Sequence, residues 1–225
     1  MPSQPKPRLN LRIVLLTFAL FSAAVTLANT FWVMFKIQKR ELIENALEGN
    51  RAYAARIAAA VEGVLSSDLD RLEYGSAILS KNFSDRQLLA AEARRLLEQD
   101  NSFNSVLITN ADGTIVASAP ERLQLNGQSL QSREPLERRK PLVSNAFHSI
   151  TGNLVVFVSQ PVFDANGQYL GLVGGALRLE QQNTLQALMD LNRRQNGAYV
   201  YLVDSQRRVL YHPDPQQIGR LIDHD

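Results

Sequence analysis

Residues 153–179 read NLVVFVSQPVFDANGQYLGLVGGALRL, and this stretch decides the fold. Leu154–Val162 is dense in β-branched and aromatic residues, which fit the pleated, half-buried surface of a strand. Asp164-Ala165-Asn166-Gly167 supplies turn chemistry. Asp and Asn side chains bond back to the local backbone, and Gly accepts a positive φ at little cost. Tyr169–Leu179 is a second run of strand character. Two such runs with so short a connection form an antiparallel hairpin.

The same grammar extends on both sides. Phe103–Thr109 and Thr114–Ser118 are strands around the turn Ala111-Asp112-Gly113-Thr114, and Leu142–Ser149 reads as a further strand before Thr151-Gly152-Asn153. Upstream, Ser84-Asp85-Arg86-Gln87 has the form of a capping box, in which a Ser oxygen takes a free N–H and Gln reaches back. The helix it opens runs to about Gln99 with Leu88, Leu89, Leu96 and Leu97 inward. Lys36 to Ser80 is a long helix, since Ile43, Leu47, Ala54, Ile57, Val61, Leu65, Leu69 and Leu72 recur mostly at helical steps. Gly49, Gly63 and Gly75 are points of weakness, open to a kink. Straight, it is a rod of ~65 Å, either a carrier of displacement or a plain stalk. Two helices followed by about five mostly antiparallel strands make the class α+β.

Beyond the hairpin, a helix is expected over 180–194, closed near Asn196-Gly197. Ala198–Asp204 and Arg207–His212 then form another hairpin. Val203-Asp204 with Val209-Leu210-Tyr211 loosely repeats Ile108-Thr109-Asn110 with Ile115-Val116-Ala117, as if a second copy of the fold began here. The 28 residues after Gly197 are too few for a second core.

At the other end, residues 13–35 carry no charge (IVLLTFALFSAAVTLANTFWVMF). A helix of that length covers about 35 Å, enough for a hydrocarbon layer of roughly 30 Å. Phe31 and Trp32 suit the membrane interface. A cleaved signal peptide would be shorter, with a small-x-small site, whereas here the apolar run continues through Phe35. Basic residues flank the span evenly: Lys6, Arg8 and Arg12 before it, Lys36, Lys39 and Arg40 after it. Because long domains translocate largely regardless of charge, residues 1–12 are expected in the cytoplasm and the remainder outside the inner membrane.

These six account for the basic pI of 9.0. The 18 Lys and Arg that remain face all 22 Asp and Glu, so the folded part is acidic and offers no nucleic-acid face. There is no cysteine, hence no disulfide, thiolate metal site or Cys nucleophile. His148, His212 and His224 lack metal spacing. No G-x-S-x-G, H-E-x-x-H or phosphate-binding loop is present, so no catalytic centre and no cofactor are expected, an anchored periplasmic enzyme being the minor competing reading.

The blocks SVLITNADGTIVASAP (105–120), residues 153–179 and YVYLVDSQRRVLYHPDPQQIG (199–219) resemble, in order and spacing, the double Cache domain of bacterial extracytoplasmic sensors. The helix RELIENALEGNRAYAARIA (40–58) is similar to the one that opens the sensor portions of diguanylate cyclases. Chemoreceptors and histidine kinases carry related modules. The resemblance implies two stacked PAS-like modules, the membrane-distal one over 36–197 and the opening of the proximal one over 198–225. It implies a sensor of a small molecule, in the setting of a diguanylate cyclase controlling cyclic di-GMP. The alternatives are a chemoreceptor, a histidine kinase or a non-catalytic regulatory module. No output domain lies within these residues. A homodimer through the apolar stripe of the long helix is expected.

The ligand is expected between the sheet and the irregular stretch Glu121–Pro141. Arg133 stands where the resemblance implies a binding Arg, and its planar fork suits a carboxylate; a solvated basic turn is an equal reading. Arg138, Arg139 and Lys140 read as solvated. Ser144, Asn145, Phe147 and His148 lie on a strand expected to line the cavity. Alternation places Asn145 and Phe147 on one face and Ser144 and His148 on the other. Amino-acid-sensing relatives carry an aromatic pair after the Arg and an Asp in the last sheet strand. Here Glu134-Pro135-Leu136-Glu137 and Ala176 stand in those places. A buried ammonium would lack its partner, so an organic anion is the better ligand.

Overall fold

The computed structural model describes residues 11–99, 102–181, 184–191 and 199–222. The expected cap at Asn196-Gly197, His224 and most of the expected cytoplasmic segment lie outside them. The chain divides into two units, Met1–Ala54 and Ala55–Asp225.

The first unit holds the uncharged span, which belongs to helix α1 (Leu11–Leu79). This helix is long and apolar enough to cross a membrane. Lys36 extends over the Trp32 ring, 4.3 Å from its centroid, a cation–π contact suited to an interfacial belt.

In the second unit α1 buries Ile57, Val61, Asp68, Leu72, Gly75 and Leu79, at steps of mostly three and four residues. No break occurs at the three glycines. Gly75 instead lies where α2 (Arg86–Glu98) packs closest: a Cβ there would stand 2.9 Å from Glu92 Oε1 and 3.1 Å from Leu96. The buried Glu92 carboxylate receives both arms of the Arg95 guanidinium, at 2.6 and 2.9 Å. That bond holds Arg95 above its ordinary pKa. On the same seam Asp68, fully buried, takes a bond from Arg71, which also donates to Ser67 and Ser102. The apolar-stripe reading thus missed a polar seam, because a carboxylate can be buried once a guanidinium covers it. The cap of α2 is Asp85 rather than Ser84. Its backbone is extended, and its carboxylate accepts from the N–H groups of Gln87 and Leu88 at 2.9 and 3.2 Å.

The sheet is antiparallel throughout, with strands β1 (Ser105–Asn110), β2 (Ile115–Ala119), β3 (Leu142–Val143), β4 (Phe147–His148), β5 (Leu154–Phe163) and β6 (Tyr169–Arg178). The order is β2-β1-β6-β5-β3, with β4 also on β5. The fold is therefore α+β with a PAS-like antiparallel sheet. Asp164 closes the β5–β6 turn by accepting from the Asn166 and Gln168 N–H groups. The single strand expected over 142–149 is broken into β3 and β4. A small second sheet, β7 (Leu202–Val203) with β8 (Val209–Tyr211), follows α4 (Thr184–Leu191).

Gly174 and Gly175 sit at the centre of β6 and serve opposite faces. A Cβ on Gly174 would overlap the Phe157 ring, and one on Gly175 would overlap the Phe103 ring. One ring lies across each face of the strand in the space that a side chain would fill. Gly175→Ala is expected to destabilise the fold by about 2 kcal/mol through overpacking. Urea denaturation should show Phe103→Leu in the same chain recovering part of that loss, and no recovery would rule this packing out.

Candidate ligand-binding cleft

On the face of the sheet turned away from α2, two cross-strand rows are set by register. Phe147, Val155 and Arg178 are successive neighbours across β4, β5 and β6. Phe157, Ala176 and Ser105 are successive neighbours across β5, β6 and β1. Period-two alternation directs both rows to the same side. Leu107 adds to this floor, and Leu123, Leu125 and Leu130 fold over it from the segment between β2 and α3 (Glu134–Arg138). That segment is anchored by backbone bonds to β2 and the turn before it, Ile115 N to Gln128 O at 2.8 Å and Leu130 N to Gly113 O at 2.9 Å. Ser149, Ile150 and Thr151 complete the rim.

The free volume of the cleft is about 30 Å³, and it opens to solvent at its mouth. The lining is mainly apolar, with the hydroxyls of Ser105, Ser149 and Thr151, the Gln131 amide and a single formal charge, Arg178. Among the described residues no carboxylate lines it. The Arg178 guanidinium also donates to Gln181 at 3.2 Å, and its backbone N–H is held by Asn104 Oδ1 at 2.7 Å. Among the described residues no group of three or more His, Asp or Glu forms a metal site.

Of the five residues expected at the site, the structure brings only Phe147 into this cleft. Ser144 is buried behind the sheet strand, donating to Asn145 O and accepting from Phe157 N–H at 2.9 Å. Asn145 accepts from Ser205 at 2.7 Å. His148 is exposed, its ring 3.2 Å from Gly152 O. Arg133 precedes α3 and lines a separate polar depression with Asp112, Leu136, Glu137 and Arg139. Nearby, Arg138 pairs with Glu134 at 3.0 Å, and Arg139 covers the Tyr169 ring at 4.7 Å. Burial pushes the Tyr169 phenol above its ordinary pKa, and the Arg139 charge pulls it back in part. Arg178, Ser105 and Gln131 were not foreseen. Arg178 was within reach of sequence reasoning, because it lies two residues beyond Ala176 on one strand and so shares its face.

The simple alternation expected over 144–148 fails at Asn145 and Ala146 for a definite reason. Ala146 N–H bonds not to β5 but to the Asp204 carboxylate, at 3.0 Å. The other oxygen of Asp204 accepts from the Gln206 and Arg208 N–H groups at 2.9 and 2.8 Å, forming the β7–β8 turn. One carboxylate therefore ties the residue beside Phe147 to a hairpin 58 positions away.

Residues 36–224 match the family model described as Cache domain. No curated protein matches the sequence. An extracellular ligand binding receptor from Desulfohalobium retbaense is similar in structure at a TM-score of 0.66 and 18% identity, covering 75% of this chain and 32% of that one. The chain thus spans about a third of that receptor's length. The ligand-binding domain of the Pseudomonas aeruginosa amino acid chemoreceptor PctC, in complex with GABA, aligns at 0.56 and 21% identity, over 75% of this chain and 77% of that one. That of the Pseudomonas fluorescens chemoreceptor CtaA, in complex with L-isoleucine, aligns at 0.59 and 19%, over 75% and 68%.

Asp204→Ala removes an acceptor shared by three backbone N–H groups, and about 2 kcal/mol of stability should go with it. Hydrogen exchange is expected to speed up at both Ala146 and Arg208, whereas Asp204→Asn, which keeps one good acceptor, should preserve the Arg208 protection. Unchanged exchange at Ala146 would dismiss the tie.

Proposed function

This chain belongs to the Cache domain family, and on that footing we propose that it is an extracytoplasmic small-molecule sensing domain, held at the inner membrane by residues 13–35. The observation that carries the reading is the cleft on the sheet's free face, apolar in its floor and polar at its rim. Such a pocket fixes a ligand by burial and orients it by a few polar groups. The exposed, charge-free span of α1 supports the anchor.

The sensor serves a transmembrane signalling protein. The solved structures it resembles are receptor and chemoreceptor domains, which favours a chemoreceptor-type output over the diguanylate cyclase setting expected from the opening helix. Nothing in the comparisons supports a link to cyclic di-GMP. The face of α1 that carries Ile43 and Leu47 is exposed in the single chain and is the surface we assign to a two-fold partner. Replacing both by Glu in the full chain, in nanodiscs, should shift it from dimer to monomer by mass photometry; a dimer that persists would refute the assignment.

Ligand binding is tested by thermal shift against a metabolite panel with the full chain. A ligand at a hundred times its Kd adds about 2.7 kcal/mol, a rise in Tm of roughly 5–10 °C for a domain of this size. Ala176→Leu fills the cleft and should abolish that rise while leaving a cooperative transition. A rise of equal size in the filled variant would place binding elsewhere.

A further inference from the structure

The chemistry of the lining restricts what the cleft can hold. Among the described residues its one charge is cationic: Arg178 lies in the row with Val155 and Phe147, on the same side as Ala176 and Ser105. Every other polar group there, Ser105, Gln131, Ser149 and Thr151, is neutral. A guanidinium presents paired N–H donors that match a carboxylate. An ammonium on the same ligand would enter a pocket with no anion to meet it, and an uncompensated buried charge is costly. Beyond Arg178 the floor is made of Phe147, Val155, Phe157 and Leu107, which bury an apolar body and offer a second polar head nothing but hydroxyls and an amide.

We infer that the cleft takes a small monocarboxylate with an apolar body, its carboxylate on Arg178, and discriminates against the corresponding α-amino acid. This inference rests on the sensing role proposed for the cleft and narrows it to one ligand chemistry. The polar depression around Arg133 carries no such assignment. It faces two carboxylates, Asp112 and Glu137, and has no apolar floor comparable to the sheet.

The test uses the full chain in nanodiscs and four probes of one carbon skeleton: butyrate, butyramide, butylamine and 2-aminobutyrate, with benzoate as a larger acid. Calorimetric and thermal-shift titrations should show saturable binding of butyrate or benzoate, at least tenfold tighter than the amide, the amine or the amino acid. Arg178→Gln should weaken acid binding by about 10- to 100-fold, the range for a charged hydrogen bond. Arg178→Lys, which keeps the charge but not the fork, should recover part of it. Thermal unfolding of each variant without ligand confirms that it is folded.

Equal binding of acid and amide, or preference for 2-aminobutyrate, overturns the carboxylate inference. If that binding is lost in Ala176→Leu, the cleft survives as the ligand site. Acid binding that persists in Ala176→Leu overturns the cleft itself. Silence from both acids overturns the inference, and the wider metabolite panel then decides the sensing role separately.

Discussion

The pairing of β5 with β6, from Val155 opposite Arg178 to Phe163 opposite Tyr169, is the constraint on which the second unit depends. β5 and β6 lie side by side within the sheet, with β3 and β4 on one side and β1 and β2 on the other. A slip of one residue would exchange every side chain between the two faces. Gly174-Gly175 reinforces the register from within, because the Phe157 ring fits over the first and the Phe103 ring over the second. Shifted by one, each ring would meet a side chain or lose its seat.

With that register set, the two faces diverge in chemistry. The face toward the helices buries Val106, Ile108, Val158 and Phe103, with α2 packed on β1 and β2, and two ion pairs lie among the helices, Glu92 with Arg95 and Asp68 with Arg71. The other face is closed only in part, by a segment of short turns that bonds to the edge of β2. An incompletely covered sheet face is what leaves a cleft. The guanidinium of Arg178 at its rim follows from the residues that register brings together.

The site is also tied to what comes later in the chain. Phe147 lines the cleft, and its neighbour Ala146 bonds to Asp204, while Asn145 accepts from Ser205. Two residues next to Phe147 in the chain are thus bonded to the β7–β8 turn. The break between β3 and β4 is therefore a connection to the second hairpin and not a defect in the sheet.

Much of this was legible in the residues alone. The uncharged span, the turns at Gly113, Gly152 and Gly167, the central hairpin and the α+β class all arise from local rules: length, periodicity and the φ that only glycine adopts freely. The resemblance of three short blocks to Cache domains agrees with the family match over 36–224. What local rules do not contain is which residues meet across strands. Ser144, Asn145 and His148 differ little from Phe147 in sequence context, yet they go to the sheet backbone, to Ser205 and to solvent. Arg178 enters the cleft because register sets it beside Val155, and Asp68 is buried because Arg71 covers it. Each outcome depends on partners far away in the chain, and so tertiary packing alone decided them.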